Sequence, residues 1–239
     1  MGPASGPKRI YVPVALLVTF IALTGFWRTY FGPLLKTGSV DVAPVIHIHA
    51  VVVVGWLALV AAQGVLAATG RTALHVKVGK VGMWYGLLVI VLGLLAAFNG
   101  FASRIHSGKV LAAQRFLWGP LTDLVTFAVF FGAAWAYRRK PEIHKRLIVV
   151  ATTTLLIAAV GRLPFWLGAP VTPWNFSLFL IVWLSPIFVA MVYDYLSKGI
   201  IHSVYVIGVL SLITLRLRNP IKETQVWLDV SGWLAGFYA

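Results

Sequence analysis

Residues 81–103 read VGMWYGLLVIVLGLLAAFNGFAS, 23 consecutive positions without Lys, Arg, Asp or Glu. A helix needs about 20 apolar residues to cross the hydrocarbon of a bilayer. A helix that is apolar all round, without a polar stripe for water, belongs inside lipid or a large core. The neighbouring sequence repeats the pattern. Charge-free runs of 18, 29, 15, 31 and 17 residues lie at 10–27, 42–70, 147–161, 163–193 and 199–215, and the 22 residues 116–137 contain a single acid, Asp123. Hydropathy and length therefore predict an all-α polytopic transmembrane helix bundle of about seven spans, as one domain over 1–239. The predicted spans are 10–27, 45–68, 79–101, 116–137, 147–168, 175–196 and 201–217. Residues 224–239 are too short to cross and are expected to lie at the interface or to extend the last helix. Pro170 and Pro173 should break the long run after the fifth helix, and Pro164 and Pro186 should interrupt helices five and six.

The whole composition agrees. Of 239 residues, 60% are hydrophobic and 11% charged, whereas a soluble domain carries about a quarter charged residues. A monomer of this size in water has no way to hide so much apolar surface. A cytosolic enzyme, a secreted disulfide scaffold and a disordered tail are excluded together. Cysteine is absent, which removes thiolate ligands, iron–sulfur clusters and cysteine nucleophiles. The net charge of +14 comes from short segments between apolar runs, where anionic lipid and topology account for it; no nucleic-acid partner is expected. With the N-terminus inside, eleven Lys and Arg fall on the inner side and eight on the outer. The dense loop RRKPEIHKR (residues 138–146) decides the orientation by the positive-inside rule. Lys8 and Arg9 precede the first helix as in a signal peptide, but no small-residue cleavage site follows it, which predicts an uncleaved anchor.

Polar residues inside such spans point to what the bundle holds. At 100° per residue from His75, Gly79, Gly82, Gly86 and Gly93 fall at about 40°, 340°, 20° and 0°. One face of the third helix thus carries a histidine followed by four glycines, suited to close helix packing or to a flat cofactor lying against the backbone. In the second helix His49, Trp56 and Gln63 recur every seven residues and predict a polar stripe turned to the bundle interior. His47 stands about 200° from His49 on a regular helix, so the two converge as H-x-H metal ligands only if the helix begins between them. Asp123 and Arg162 lie within predicted spans. A charge at a helix centre costs about 2.5–3.5 kcal/mol, so Asp123 is expected to pair with Arg162 or with a histidine. His75, His144 and His202 begin the third, fifth and seventh helices and Asp194 ends the sixth, which places a second polar cluster at the inner face. Helix seven offers no lysine over 201–215 for a retinal Schiff base. A phosphate-cradling loop, G-x-S-x-G and H-E-x-x-H are all missing, and six histidines and six acids are too few for a histidine-rich di-iron or a carboxylate-rich di-metal site.

The segments HIHAVVVVGWLALVAAQ (47–63), TGRTALHVKVGKVG (69–82) and RRKPEIHKRLIVVAT (138–152), with GRLP at 161–164, together resemble a family of bacterial multi-spanning membrane proteins. Its segments read H-x-H…W…Q, GR…LHRRLG and RRRPEAHKRLMLLAT. The chain departs from them at VKVGK in the third helix and at LIVV in the fifth. The resemblance implies the fold and a bacterial inner (plasma) membrane, in which the charge bias places the N-terminus on the cytoplasmic side, and it singles out His47, His49, His75, His144 and Arg162. It implies no reaction. Histidines at helix ends in a small bundle are also similar to those of dihaem b-type membrane cytochromes, which implies His75 and His144 as a ligand pair near the inner face.

Three functions follow as expectations. The first is an electron-transfer protein in which His75 and His144 ligate a haem b or a transition metal, with Gly79, Gly82 and Gly86 against the cofactor and His47 and His49 as further metal ligands. The second is a non-enzymatic subunit of a larger membrane complex, consistent with thin loops and ten Trp. The third is a small proton-coupled transporter using Asp123 and Arg162.

Overall fold

The computed structural model describes residues 10–163, 172–217 and 219–238. Among them the chain is helical, with no strand, and seven helices are long and apolar enough to cross a membrane. In chain order these are α1 (Tyr11–Thr37), α2 (Pro44–Ala68), α3 (Thr72–His106), α4 (Val110–Ala136), α5 (Pro141–Val160), α6 (Pro173–Lys198) and α7 (Ser203–Leu217); a short 3-10 turn at Asn219–Glu223 leads to α8 (Gln225–Ala235). Odd-numbered spans begin at one membrane face, here the near face, and even-numbered spans begin at the far face.

Charges mark where hydrocarbon ends, not where helical hydrogen bonding ends, and several helices outrun their expected bounds. The first continues past Arg28 through a π-helical turn at Trp27–Phe31 to a left-handed Gly38 at φ +74°. Pro33 explains the wide turn: it has no N–H for the Thr29 carbonyl, and its ring would crowd that oxygen in a regular helix. The third helix reaches 35 residues instead of the predicted 23. The fifth starts at Pro141 rather than 147, because PEIHKR is helical, with Pro141 in the first turn and the Glu142 carboxylate at the positive end of the helix dipole. It ends at Val160, and Pro164, Pro170 and the rest of the predicted segment to 168 lie outside the described residues, as do Lys8, Arg9 and Arg218. Pro186 does not interrupt α6. The Val182 carbonyl that it cannot serve accepts from the Ser185 hydroxyl at 2.8 Å, which keeps the helix satisfied in a medium without water.

α5 is the hub. It packs on α1, α4, α6 and α7, and 61% of its apolar stretch is buried, against 17–33% for the other spans. Association in lipid rests on close packing rather than on expulsion of water, and glycines on the neighbours supply it. The position of a Cβ on Gly25 of α1 is already occupied by the backbone of Ala159, and one on Gly208 of α7 would lie 2.6 Å from the Val150 side chain. Gly25→Leu is accordingly expected to cost about 1–3 kcal/mol by forcing α1 off α5. It should lower the midpoint of SDS-induced unfolding, while Gly132→Leu, whose Cβ meets nothing within 4 Å, should leave it in place. Equal midpoints for the two variants would refute the close-packing account.

Candidate functional site

Two of the predicted histidines share one face of the bundle. His75 lies one turn into α3 and His144 one turn into α5, both at the near face and both half-buried. They are close enough for the charge of one to act on the other. Each turns its Nδ1 to a backbone carbonyl of a neighbouring helix: His75 to Gln63 of α2 at 3.2 Å, His144 to Ala134 of α4 at 2.7 Å. A carbonyl only accepts, so both Nδ1 atoms carry a proton. Neither Nε2 has a hydrogen-bond partner among the described residues. A neutral imidazole with Nδ1–H held by a carbonyl and Nε2 open is the state in which histidine binds a metal.

The glycine face of α3 is filled by side chains of its neighbours. A Cβ on Gly79 would lie 3.3 Å from the Gln63 amide nitrogen, one on Gly82 3.2 Å from Leu59, and one on Gly93 2.6 Å from Leu124; on Gly86 it would run into the Phe131 ring. These glycines let α2 and α4 approach α3. The predicted stripe of α2 does face the interior: His49 lies beside the Leu92 carbonyl, Trp56 stands edge-on to Phe127 and Phe131 at 5.5 and 5.4 Å, and Gln63 reaches His75. One buried polar atom on each of the three, His49 Nδ1, Trp56 Nε1 and Gln63 Oε1, has no hydrogen-bond partner.

The H-x-H pair does not converge. α2 begins at Pro44, upstream of both histidines. His47 Nδ1 meets the Tyr30 hydroxyl of α1 at 2.8 Å, while His49 faces α3. Both lie toward the far face, about 20 Å along the helix from the level of His75. A single metal centre with His47, His49, His75 and His144 as ligands is therefore not assembled. Among the described residues no group of three or more His, Asp or Glu is placed to hold a metal ion. Asp123 and Arg162 are not joined either. The Arg162 guanidinium donates to the Ala158 carbonyl at 2.6 Å, covers the Phe26 ring at 4.7 Å, and feels the charge of Arg104.

The strongest polar feature falls on a residue that sequence reasoning treated only as a topology charge. Arg146, 1% exposed, makes a bidentate pair with Asp194, 2% exposed, through bonds of 2.8, 2.8 and 2.6 Å between α5 and α6. Glu142, one turn before Arg146, accepts from it at 2.9 Å, and from Lys145 and Lys198. Tyr205 of α7, fully buried, lies beneath the guanidinium at 5.6 Å and meets the Tyr11 hydroxyl at 3.4 Å. His202 belongs to this side of the bundle, apart from the other two near-face histidines. Burial first, and then the Arg146 charge, hold its imidazole below the ordinary value. The neutral ring then accepts from the Val204 N–H at 3.2 Å and caps α7. The signals available in sequence were Asp194 at the inner end of its helix and Glu142 four residues before Arg146.

No protein family, curated protein or solved structure matches the chain.

Proposed function

We propose that this integral membrane protein carries electrons through a b-type haem held between His75 and His144 at its cytoplasmic face. The observation behind the proposal is the matched state of the two imidazoles, brought from α3 and α5 to one level, each with Nδ1–H on a carbonyl and Nε2 unengaged. A bound haem would supply one-electron chemistry, its potential set by axial ligands, burial and the hydrogen bonds behind those ligands. The chain's part is to fix both rings. The carbonyls of Gln63 and Ala134 do so, since accepting the Nδ1 proton fixes the tautomer and raises the basicity of Nε2 as a ligand. The near-face loops, rich in Arg and Lys and carrying RRKPEIHKR, support the cytoplasm for that face by the positive-inside rule.

The test is a dithionite-reduced minus oxidised visible spectrum of detergent-purified protein, with haem quantified on the same sample. Wild type is expected to show a sharp b-type signal at one haem per chain. His75→Ala and His144→Ala should each abolish it, and His47→Ala should keep it. A flat wild-type spectrum with no stoichiometric haem would retire the proposal.

A further inference from the structure

The geometry points to Gln63 as a positioning residue for His75, working as a reciprocal clamp that only Gly79 makes room for. This rests on the ligand role of His75 proposed above. The backbone carbonyl of Gln63 accepts the His75 Nδ1–H at 3.2 Å, and the side-chain amide of the same Gln63 donates back to the His75 carbonyl at 3.2 Å. One residue of α2 therefore grips both ends of one residue of α3. His144 has no such device: its Nδ1 meets the carbonyl of Ala134, whose methyl group offers no hydrogen bond.

The clamp explains two otherwise separate facts. Gly79 stands one turn after His75, and a Cβ there would sit 3.3 Å from the Gln63 amide nitrogen, so the amide would have to give by a few tenths of an ångström against its bond to the His75 carbonyl. The glycine is the space that the amide occupies. The recurrence of His49, Trp56 and Gln63 likewise ends at the residue that meets His75. With its nitrogen committed, the amide leaves Oε1 buried and without a partner, so the contact is kept although only one of the amide's two polar atoms is satisfied.

The consequence is electronic. A firmly held carbonyl on Nδ1–H pushes electron density toward Nε2, which favours the oxidised, more positive iron. Loosening the clamp withdraws that support. Partners of this kind change metal affinity by about 10–100-fold. If the loss falls on the oxidised form alone, its smallest value, about tenfold, raises a one-electron potential by about 59 mV.

Spectroelectrochemical titration of the pigmented protein tests this with three variants. Gln63→Leu removes the donor, Gly79→Ala displaces it without touching a polar group, and Gly93→Ala crowds Leu124 on the same helix far from the clamp. The first two are expected to raise the potential, Gln63→Leu by the larger amount, with Gly93→Ala at the wild-type value. A Gln63→Leu potential equal to wild type, or an equal rise in Gly93→Ala, overturns the inference. A second readout does not need haem. In protein labelled with ¹⁵N in its histidine rings, the His75 signal, assigned by its loss in His75→Ala, should show a single Nδ1–H tautomer in wild type and a tautomer mixture in Gln63→Leu. An unchanged tautomer would overturn the clamp even in a chain that proved to bind no haem, whereas absence of pigment in wild type would sink only the haem proposal.

Discussion

Asp194→Ala is expected to destabilise the bundle by about 3–5 kcal/mol, the cost of removing one partner of a buried ion pair and leaving the other charge uncompensated. Arg146 is 1% exposed and spends three of its hydrogen bonds on Asp194. What remains after the substitution is Glu142, which is half-exposed and already shared with Lys145 and Lys198. The guanidinium cannot simply move to water, because α6 and α7 cover it and Tyr205 lies under its plane. The same physics predicts a rescue. A double variant in which Arg146 and Asp194 both become leucine carries no buried charge and should recover most of the loss. Glu142→Gln, at the exposed end of the network, should cost under about 1 kcal/mol. Unfolding midpoints in mixed SDS micelles, compared for the three variants, check the ranking. An Asp194→Ala protein as stable as Glu142→Gln would show that the pair is not closed in solution.

The existence of the spans was legible because the lipid constraint is so strong: a run such as 81–103 has hardly another use. Their ends were less so. Reading helix limits from charges cuts α3 short at both ends and removes PEIHKR from α5, because a helix that leaves the hydrocarbon keeps its own backbone bonds in water. The proline at 186 misled for a related reason. A proline costs a helix less when the carbonyl it abandons finds another donor, and the Ser185 hydroxyl, on the residue before it, takes that carbonyl.

At the site, periodicity did well where one helix face settles the matter and failed where two helices have to be docked. The stripe of His49, Trp56 and Gln63 turns inward as the seven-residue spacing requires. His75 and His144 lie at one face because both begin helices there. Whether Asp123 reaches Arg162 depends instead on the rotation of α4 against α5, which no single-helix pattern contains. Arg146 shows the same limit from the other side. It stands in a basic loop motif that topology alone explains, and only the packing of α6 onto the first turns of α5 reveals it as buried. His144 and Arg146 thus divide one helical turn between two jobs, with the imidazole facing α4 and the guanidinium facing α6.

A second large effect is expected at the other end of that α5–α6 contact. Trp183 is fully buried, and its indole Nε1 donates to the Thr153 carbonyl at 2.9 Å. α5 loosens just there: the Leu156 N–H turns to the same carbonyl at 3.1 Å, and the regular helix stops at Leu155. A side chain that inserts into the helical ladder is a recognised cause of such a break. In a water-solvated core Trp→Ala costs about 3–5 kcal/mol. Here the separated helices remain in lipid, so the transfer part is small and the lost packing dominates. The lower end, about 3 kcal/mol, is therefore expected for Trp183→Ala. Trp183→Phe keeps most of the volume and isolates the hydrogen bond, for which about 1 kcal/mol is expected. Trp183 and Asp194 are eleven residues apart on α6, about 16 Å along the axis, and share no partner, so their effects should add to within about 0.5 kcal/mol in the double variant. A strongly non-additive double variant would mean that α5 is held as one rigid body by both contacts. In that case either substitution would also disturb His144, and the spectrum of the proposed haem would report it.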